Sequence, residues 1–448
     1  MTGNSNPRSQ QGVAKGHDLT KVERSRVTEV HAIVKSGNLE SFITRQAEIS
    51  LRELLGDKQH YVLALHGSSK QGKSNILRSI FSHDVLALHL ELGYEPTPIA
   101  IYKALLNSAR AVVRKTRSES TSNVWEIGKI FVWKNEIKGG DAMEFVDGEF
   151  DDVTWVAKAL LDASPARVLV LDNFHHVDLD GQKKLSRDFT VLGAKGFKVV
   201  VAGTWKQADY LRALNNDLRD AYQSVSVDPW TPAELEKVVA AGAKALGYAM
   251  PEEAKRTLAS VSRGSIGALQ SITARYYLDQ IKGDRRYKNV SEATKANTAA
   301  QLVAGQAADD MASTLVSISD YGSRDATGRH HVSYVVEAIL SSTPDEVRRG
   351  FSIEQLKARV DSATRAWALK QKRPVELMSP QDFARKVKVD WMKHQIVENN
   401  TPFVVYDKQL DRVTINDSML VFLHSLVSAL LRDKFLRILR ERPLEVGT

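Results

Sequence analysis

No cysteine occurs among the 448 residues. That excludes disulfides, thiolate metal sites and cysteine nucleophiles, and it is compatible with a reducing cytoplasm. Nor is there an apolar run of bilayer-spanning length, since the best candidate, Met419 to Leu431, is short and broken by His424 and Ser425. The segment Met1 to Gly16 is polar, lacks the apolar centre of a secretory signal and reads as disordered. Internal repeats are absent, and so are low-complexity tracts outside that tail. What remains has the composition of a soluble globular protein, 43% apolar and 26% charged. Its length exceeds what one hydrophobic core usually serves, so two or three domains are expected. The formal charge of +8 favours an acidic partner such as nucleic acid, although the excess is spread along the chain rather than gathered in one block.

The run Gly67-Ser68-Ser69-Lys70-Gln71-Gly72-Lys73-Ser74 matches the phosphate-binding pattern G-x-x-x-x-G-K-[ST] at every fixed position. It follows an apolar stretch, Tyr61 to Leu65, that reads as a buried strand, and it precedes helical spacing from Ser74 to Phe81. Backbone N–H groups and the positive end of that helix can cradle phosphates. Lys73 is then expected to reach the β- and γ-phosphates, and the Ser74 hydroxyl to ligate Mg²⁺. The strand Val168-Leu169-Val170-Leu171 ends in Asp172, which places a carboxylate at a sheet edge where it can hold the Mg²⁺ water shell. ATP with Mg²⁺ is the expected cofactor, and no other metal is indicated.

Strand and helix patterns alternate around these motifs. A helix over Ser41 to Leu55 leads into the first strand, followed by a strand Val85 to Leu90 and a helix Pro98 to Val113. After a break come a helix Val153 to Ala163, a strand Arg167 to Leu171, a helix Gln182 to Leu192 and a strand Lys198 to Ala202. A helix Lys206 to Tyr222 and a short strand Ser224 to Val227 complete a parallel five-stranded α/β core. The break, 116–152, reads as an insertion with a hairpin around Lys129 to Ile137. Beyond Trp230 no strand pattern appears until near Phe403. The expected division is an N-terminal segment 1–35, a nucleotide-binding core 36–230, a helical lid 231–285, a helical linker 286–329 and a winged-helix-like domain 330–448. The last is read from helices at Val332 to Leu340, Ser352 to Val360, and Ala363 to Leu369 with Pro380 to His394. A hairpin, Phe403 to Tyr406 and Arg412 to Ile415, and a long helix, Ser418 to Arg440, follow.

Together, GSSKQGKS, VLVLDNF, VVVAGT, an arginine before SVSVDPW, and the lid sequence SRGSIGALQSI resemble the AAA+ ATPases over roughly residues 40 to 282. The nearest types are the transposition regulators (TniB-like), and beyond them the origin-recognition and STAND-type switch ATPases. The resemblance implies further roles. Thr204, just past a strand end, takes the sensor-1 place at the γ-phosphate. Arg219, before the last strand, takes the place of the arginine finger that reaches a neighbouring subunit's nucleotide, with Arg212 as fallback and a solvated charge as the alternative. Most AAA+ proteins carry a glutamate after the Walker B aspartate, where this chain has Asn173, which cannot accept a proton. Asn173 could orient a water instead, or His175 or His176 supply a base. The sensor-2 arginine is missing as well: its place falls at Gly267, leaving Arg263 as a weaker substitute.

The basic run Arg385-Lys386-Val387-Lys388, with Trp391 and Lys393, falls on the expected recognition helix. Phosphate contact in duplex DNA and a plain solvated face both remain open there. Two functional readings follow. One is an ATP-dependent switch that forms homo-oligomers through its ATP sites and recruits or activates an effector, on DNA or off it, as in transposition regulation. The other is a STAND-like ATP-binding scaffold of an antiviral (antiphage) defence system that docks a partner effector. Fast motor activity is disfavoured by Asn173. No membrane partner is expected, and the expected location is cytoplasmic.

Overall fold

The computed structural model describes residues 26–27, 30, 43–81, 86–93, 96–109, 115–117, 125–127, 130–132, 141–143, 152–281, 290–319, 329–375, 377–390, 403–407 and 411–441. The expected tail, most of the 116–152 insertion, the loop 320–328, and Trp391 and Lys393 lie outside them.

The leading helix is α1 (Gln46–Gly56). Strand β1 (Val62–His66) is buried throughout and flanked on both sides by parallel neighbours, β8 (Lys198–Gly203) and β9 (Tyr222–Ser226). Outward from β8 come β7 (Val168–Asp172) and β2 (Ala87–Leu92), also parallel. Their apolar runs suit strands covered on both faces. On one face, Leu63, Leu65, Val170 and Val200 pack under α1 and under α2 (Lys73–Phe81). On the other, Val62, Ala64, Leu90, Leu169 and Val199 lie under α3 (Pro98–Ser108), α4 (Val153–Ala163) and α5 (Leu179–Ala194). The core is an α/β fold with the glycine-rich loop between β1 and α2 and the parallel five-stranded sheet that the alternation predicts.

Two details differ from expectation. The insertion adds strands: β3 (Lys115–Arg117) pairs with β6 (Asp141–Met143), and a hairpin of β4 (Trp125–Ile127) and β5 (Ile130–Val132) joins the sheet antiparallel to β2. This hairpin lies somewhat before Lys129 to Ile137. The single helix expected over Lys206 to Tyr222 is instead α6 (Tyr210–Leu214), a 3₁₀ turn Asn216–Leu218, and the start of β9. Asn215 stops the helix, because it turns to extended backbone and its side chain accepts the Asp217 N–H.

The segment expected as a lid holds α7 (Pro232–Ala245), α8 (Glu252–Val261) and α9 (Ile266–Ile281). A Thr231/Glu234 capping box sets the start of α7. The 28-residue α10 (Glu292–Ser319) buries Ala296, Ala300, Ala304, Ala308 and Ala312, one every four residues. Methyl-only side chains let α8 and α15 (Ser418–Glu441) approach it closely. One apolar cluster therefore runs from Trp230 through the lid and α10 to Phe435. The presumed linker is a buried spine.

The C-terminal unit holds α11 (His331–Leu340), α12 (Pro344–Arg349), α13 (Ile353–Gln371), α14 (Pro380–Arg385) and a hairpin of β10 (Val404–Asp407) and β11 (Arg412–Ile415). Phe351 exchanges both backbone hydrogen bonds with Val413, at 2.8 and 2.7 Å, a one-residue bridge on the outer side of the wing. This is a winged-helix arrangement. The helices expected at Ser352 to Val360 and Ala363 to Leu369 are one, α13. The expected recognition helix gives way after Arg385 to a π turn, Lys386–Asp390. Among the described residues no helix is long and apolar enough to cross a membrane.

Candidate nucleotide site

β1 delivers the chain into Gly67, and α2 starts at Lys73. Gly67 (φ 148°) and Gly72 (φ 89°) adopt conformations that suit glycine, and a Cβ at Gly67 would lie 2.6 Å from Val227 Cγ2. The loop thus closes over the start of α2, whose N–H groups and dipole favour an anion. Lys73 is buried and donates to the Gly67 and Ser68 carbonyls at 2.9 and 2.7 Å. Burial pushes its pKa down to about 8, against the opposing pull of Asp228 and Asp172. Asp172, also buried, has its carboxyl pushed up by burial, while a hydrogen bond with Ser74 pulls the other way. A hydroxyl beside a carboxylate is the hard-oxygen pair that Mg²⁺ prefers. The donors present fit Mg-ATP: Lys73 and α2 for the phosphates, Ser74 and Asp172 for the ion.

The protonated Lys73 is the form that attracts phosphate. With a free-state pKa of about 8, ATP affinity should be full below that pH. It should weaken as pH rises further, by up to roughly tenfold per unit, because binding must then take up a proton. ATP titrations across about pH 7 to 9.5 would show this fall, and a flat profile would contradict it.

Around this centre, the expected residues are placed as follows. Thr204 is buried one residue past β8. Asn173 is left-handed (φ 61°, ψ 36°), and its N–H donates to Asp172 Oδ1 at 2.8 Å. Asparagine tolerates that conformation better than glutamate, which explains the residue after Asp172 on backbone grounds. Of the two histidines, His176 donates Nδ1–H to the Leu92 and Gly93 carbonyls at 3.1 and 3.0 Å and so ties the following turn to the end of β2. His175 is held well below its ordinary pKa, by burial first and then by His176 and Lys73, and is neutral.

Three residues escaped the motif reading. Asp228 accepts the Ser68 N–H at 2.5 Å and the Ser68 hydroxyl at 2.7 Å, anchoring the loop from the end of β9. Trp230 donates its indole N–H to the Gln71 carbonyl at 3.2 Å. Arg45, 4% exposed, stacks 3.8 Å from the Trp230 ring centroid and donates to the Val227 carbonyl at 2.8 Å and to Glu234 at 3.3 Å. Their only sequence signals were the DPW string after the last strand and an arginine opening α1.

The lid meets the loop at Gly267, where an added Cβ would lie 3.5 Å from Lys70 Cβ. The loop's own lysine thus stands beside the place of a sensor-2 arginine. Arg263 is exposed, with left-handed backbone (φ 53°), on the turn before α9. The wing also reaches the site. Asn416 Nδ2 donates to the Thr204 carbonyl and Ser418 Oγ to the Ser69 carbonyl, each at 3.2 Å. Gln207 donates to the Tyr406 carbonyl at 3.0 Å, and Lys206 to the Ile415 carbonyl.

Arg219 follows the 3₁₀ turn rather than sharing a helix with Arg212. Both nonetheless line one open cleft of about 400 Å³, with Asp209 and Asn216, away from the P-loop. Arg385 is exposed and paired with Asp382, and Lys388 lies 4.7 Å from the Tyr406 ring centroid.

No family model and no curated protein matches the chain. Among solved structures it is similar to a Walker-type ATPase of Pyrococcus abyssi, at 12% identity over 88% of this chain and 99% of that one, TM-score 0.49. It is also similar to the Aeropyrum pernix Orc1 protein in complex with DNA, at 13% identity over 91% and 100%, TM-score 0.39. A third is Cdc6p of Pyrobaculum aerophilum, at 14% identity over 91% and 98%, TM-score 0.38. Likeness at these scores bears on no residue's role.

Proposed function

We propose that the chain is an ATP-dependent switch whose winged unit reads the state of the phosphate loop and passes it to an effector. Lys73 and the α2 N-terminus bind the phosphates, Ser74 and Asp172 hold Mg²⁺, and Thr204 lies at the γ-phosphate. One observation carries this reading: the start of α15 bonds to the loop through Ser418 and to Thr204 through Asn416. A shift of either segment on exchange of ATP for ADP must stretch or break these bonds, which tie the loop and the end of β8 to the entry of α15, and α15 packs along α10. Two fluorophores, one on α5 and one on α13, should report different distances with a non-hydrolysable ATP analogue and with ADP. Identical distances would count against a switch.

In the same reading Arg219 acts on a neighbour's nucleotide, its cleft forming part of the subunit contact. Arg219→Ala should leave ATP affinity of the isolated subunit within about twofold and remove ATP-dependent oligomers in light scattering. Oligomers that persist unchanged would make Arg219 a surface charge.

A further inference from the structure

Position 173 carries no carboxylate, yet a second carboxylate stands beside Asp172. β2 runs parallel to β7 with Glu91 in register with Asp172. Partners on neighbouring strands lie about 4.8 Å apart and point to the same face. That face is the one under α2. Alternation puts Ala87 and Glu91 together, and Ala87 belongs to the cluster that contains Val170, Ile76 and Leu77. α2 meets both acids: Ser74 hydrogen-bonds Asp172, and one turn further on Arg78 Nη2 lies 3.3 Å from Glu91 Oε2. Glu91's charge also adds to the upward push on the Asp172 carboxyl, after burial. Arg78 and Glu91 are 22% and 31% exposed, so the carboxylate keeps access to solvent.

We propose that Glu91 is the catalytic carboxylate that polarises the attacking water, supplied from the strand beside the Walker B strand. This rests on the ATP-site reading above. In the step, the water oxygen bonds to the γ-phosphorus while the bond from that phosphorus to the β,γ-bridging oxygen breaks, its electron pair leaving on ADP. The water's proton passes to Glu91 and from there to the released phosphate. The residue that follows Asp172 cannot serve instead. Asn173 cannot take a proton.

The experiment uses the full chain with Mg-ATP and measures ATP affinity and turnover separately. Glu91→Gln keeps shape and hydrogen bonding but removes basicity. It should bind ATP within about threefold of the parent and lose at least about 100-fold in turnover, the usual contribution of a general base. Arg78→Gln removes the ion pair and keeps the carboxylate, so it should retain most of the turnover. If Glu91 only braced α2, Arg78→Gln would mimic Glu91→Gln. That outcome overturns the proposal, as does parental turnover in Glu91→Gln or a parent that binds ATP without hydrolysing it. A parent that binds no ATP at all would instead sink the nucleotide-site reading, and this proposal with it.

Discussion

Lys73→Ala should abolish measurable ATP binding while the protein stays folded. The ammonium sits in the cradle between Gly67 and the start of α2, held by two loop carbonyls that phosphate oxygens would replace as partners. Losing charge-assisted hydrogen bonds to two phosphates removes about 4 kcal/mol, or about a thousandfold in affinity. Stability should hardly fall, because burial already works against the Lys73 charge, as its pKa near 8 shows. Calorimetry with ATP and a thermal melt separate the two effects. Unchanged affinity would remove the loop from the site.

Arg45→Ala should have the largest effect on stability among the sites outside the sheet core. Its guanidinium is enclosed between α1, the end of β9 and α7, stacked on Trp230 and bonded to the Val227 carbonyl and Glu234. Burial lowers its pKa, with Glu234 opposing. Burial also pushes the Glu234 carboxyl up, but hydrogen bonds from Thr231 and the Arg45 charge outweigh it, so the pair stays ionised. Truncation loses a desolvated cation–π contact and leaves the Val227 carbonyl without this donor, about 3 kcal/mol together. Because Trp230 holds the Gln71 carbonyl, ATP affinity should weaken as well. Arg45→Lys should rescue little, since an ammonium cannot stack and fork as a guanidinium does. A urea-unfolding free energy within about 0.5 kcal/mol of the parent would show that the stack is dispensable.

The expected residues sort by how far apart their partners lie in the chain. Gly67 to Ser74 were legible because phosphate binding needs glycine conformations, a lysine and a hydroxyl within one turn of chain. Asp172 was legible because a buried strand ending in a carboxylate is itself a local pattern. The helix expected through Arg219 failed on a side-chain contest at Asn215 that periodicity does not register. The wing was readable as a hairpin, yet the bridge at Phe351 was not, because a single bridged residue has no alternation.

By itself, then, the sequence determined the glycine-bearing loop after β1, the carboxylate that ends β7, the alternation that makes a parallel sheet and the helical character of the described residues between Trp230 and the wing hairpin. Each follows from backbone conformation or apolar spacing within a few residues. The tertiary structure alone decided that Glu91 stands beside Asp172, that Asp228 and Trp230 hold the loop, and that Asn416 and Ser418 reach it across more than two hundred residues of chain. Strand register and helix docking are set by the packing of whole faces, and a lone Glu, Asp or Asn in the sequence has no local mark of the neighbour it will meet.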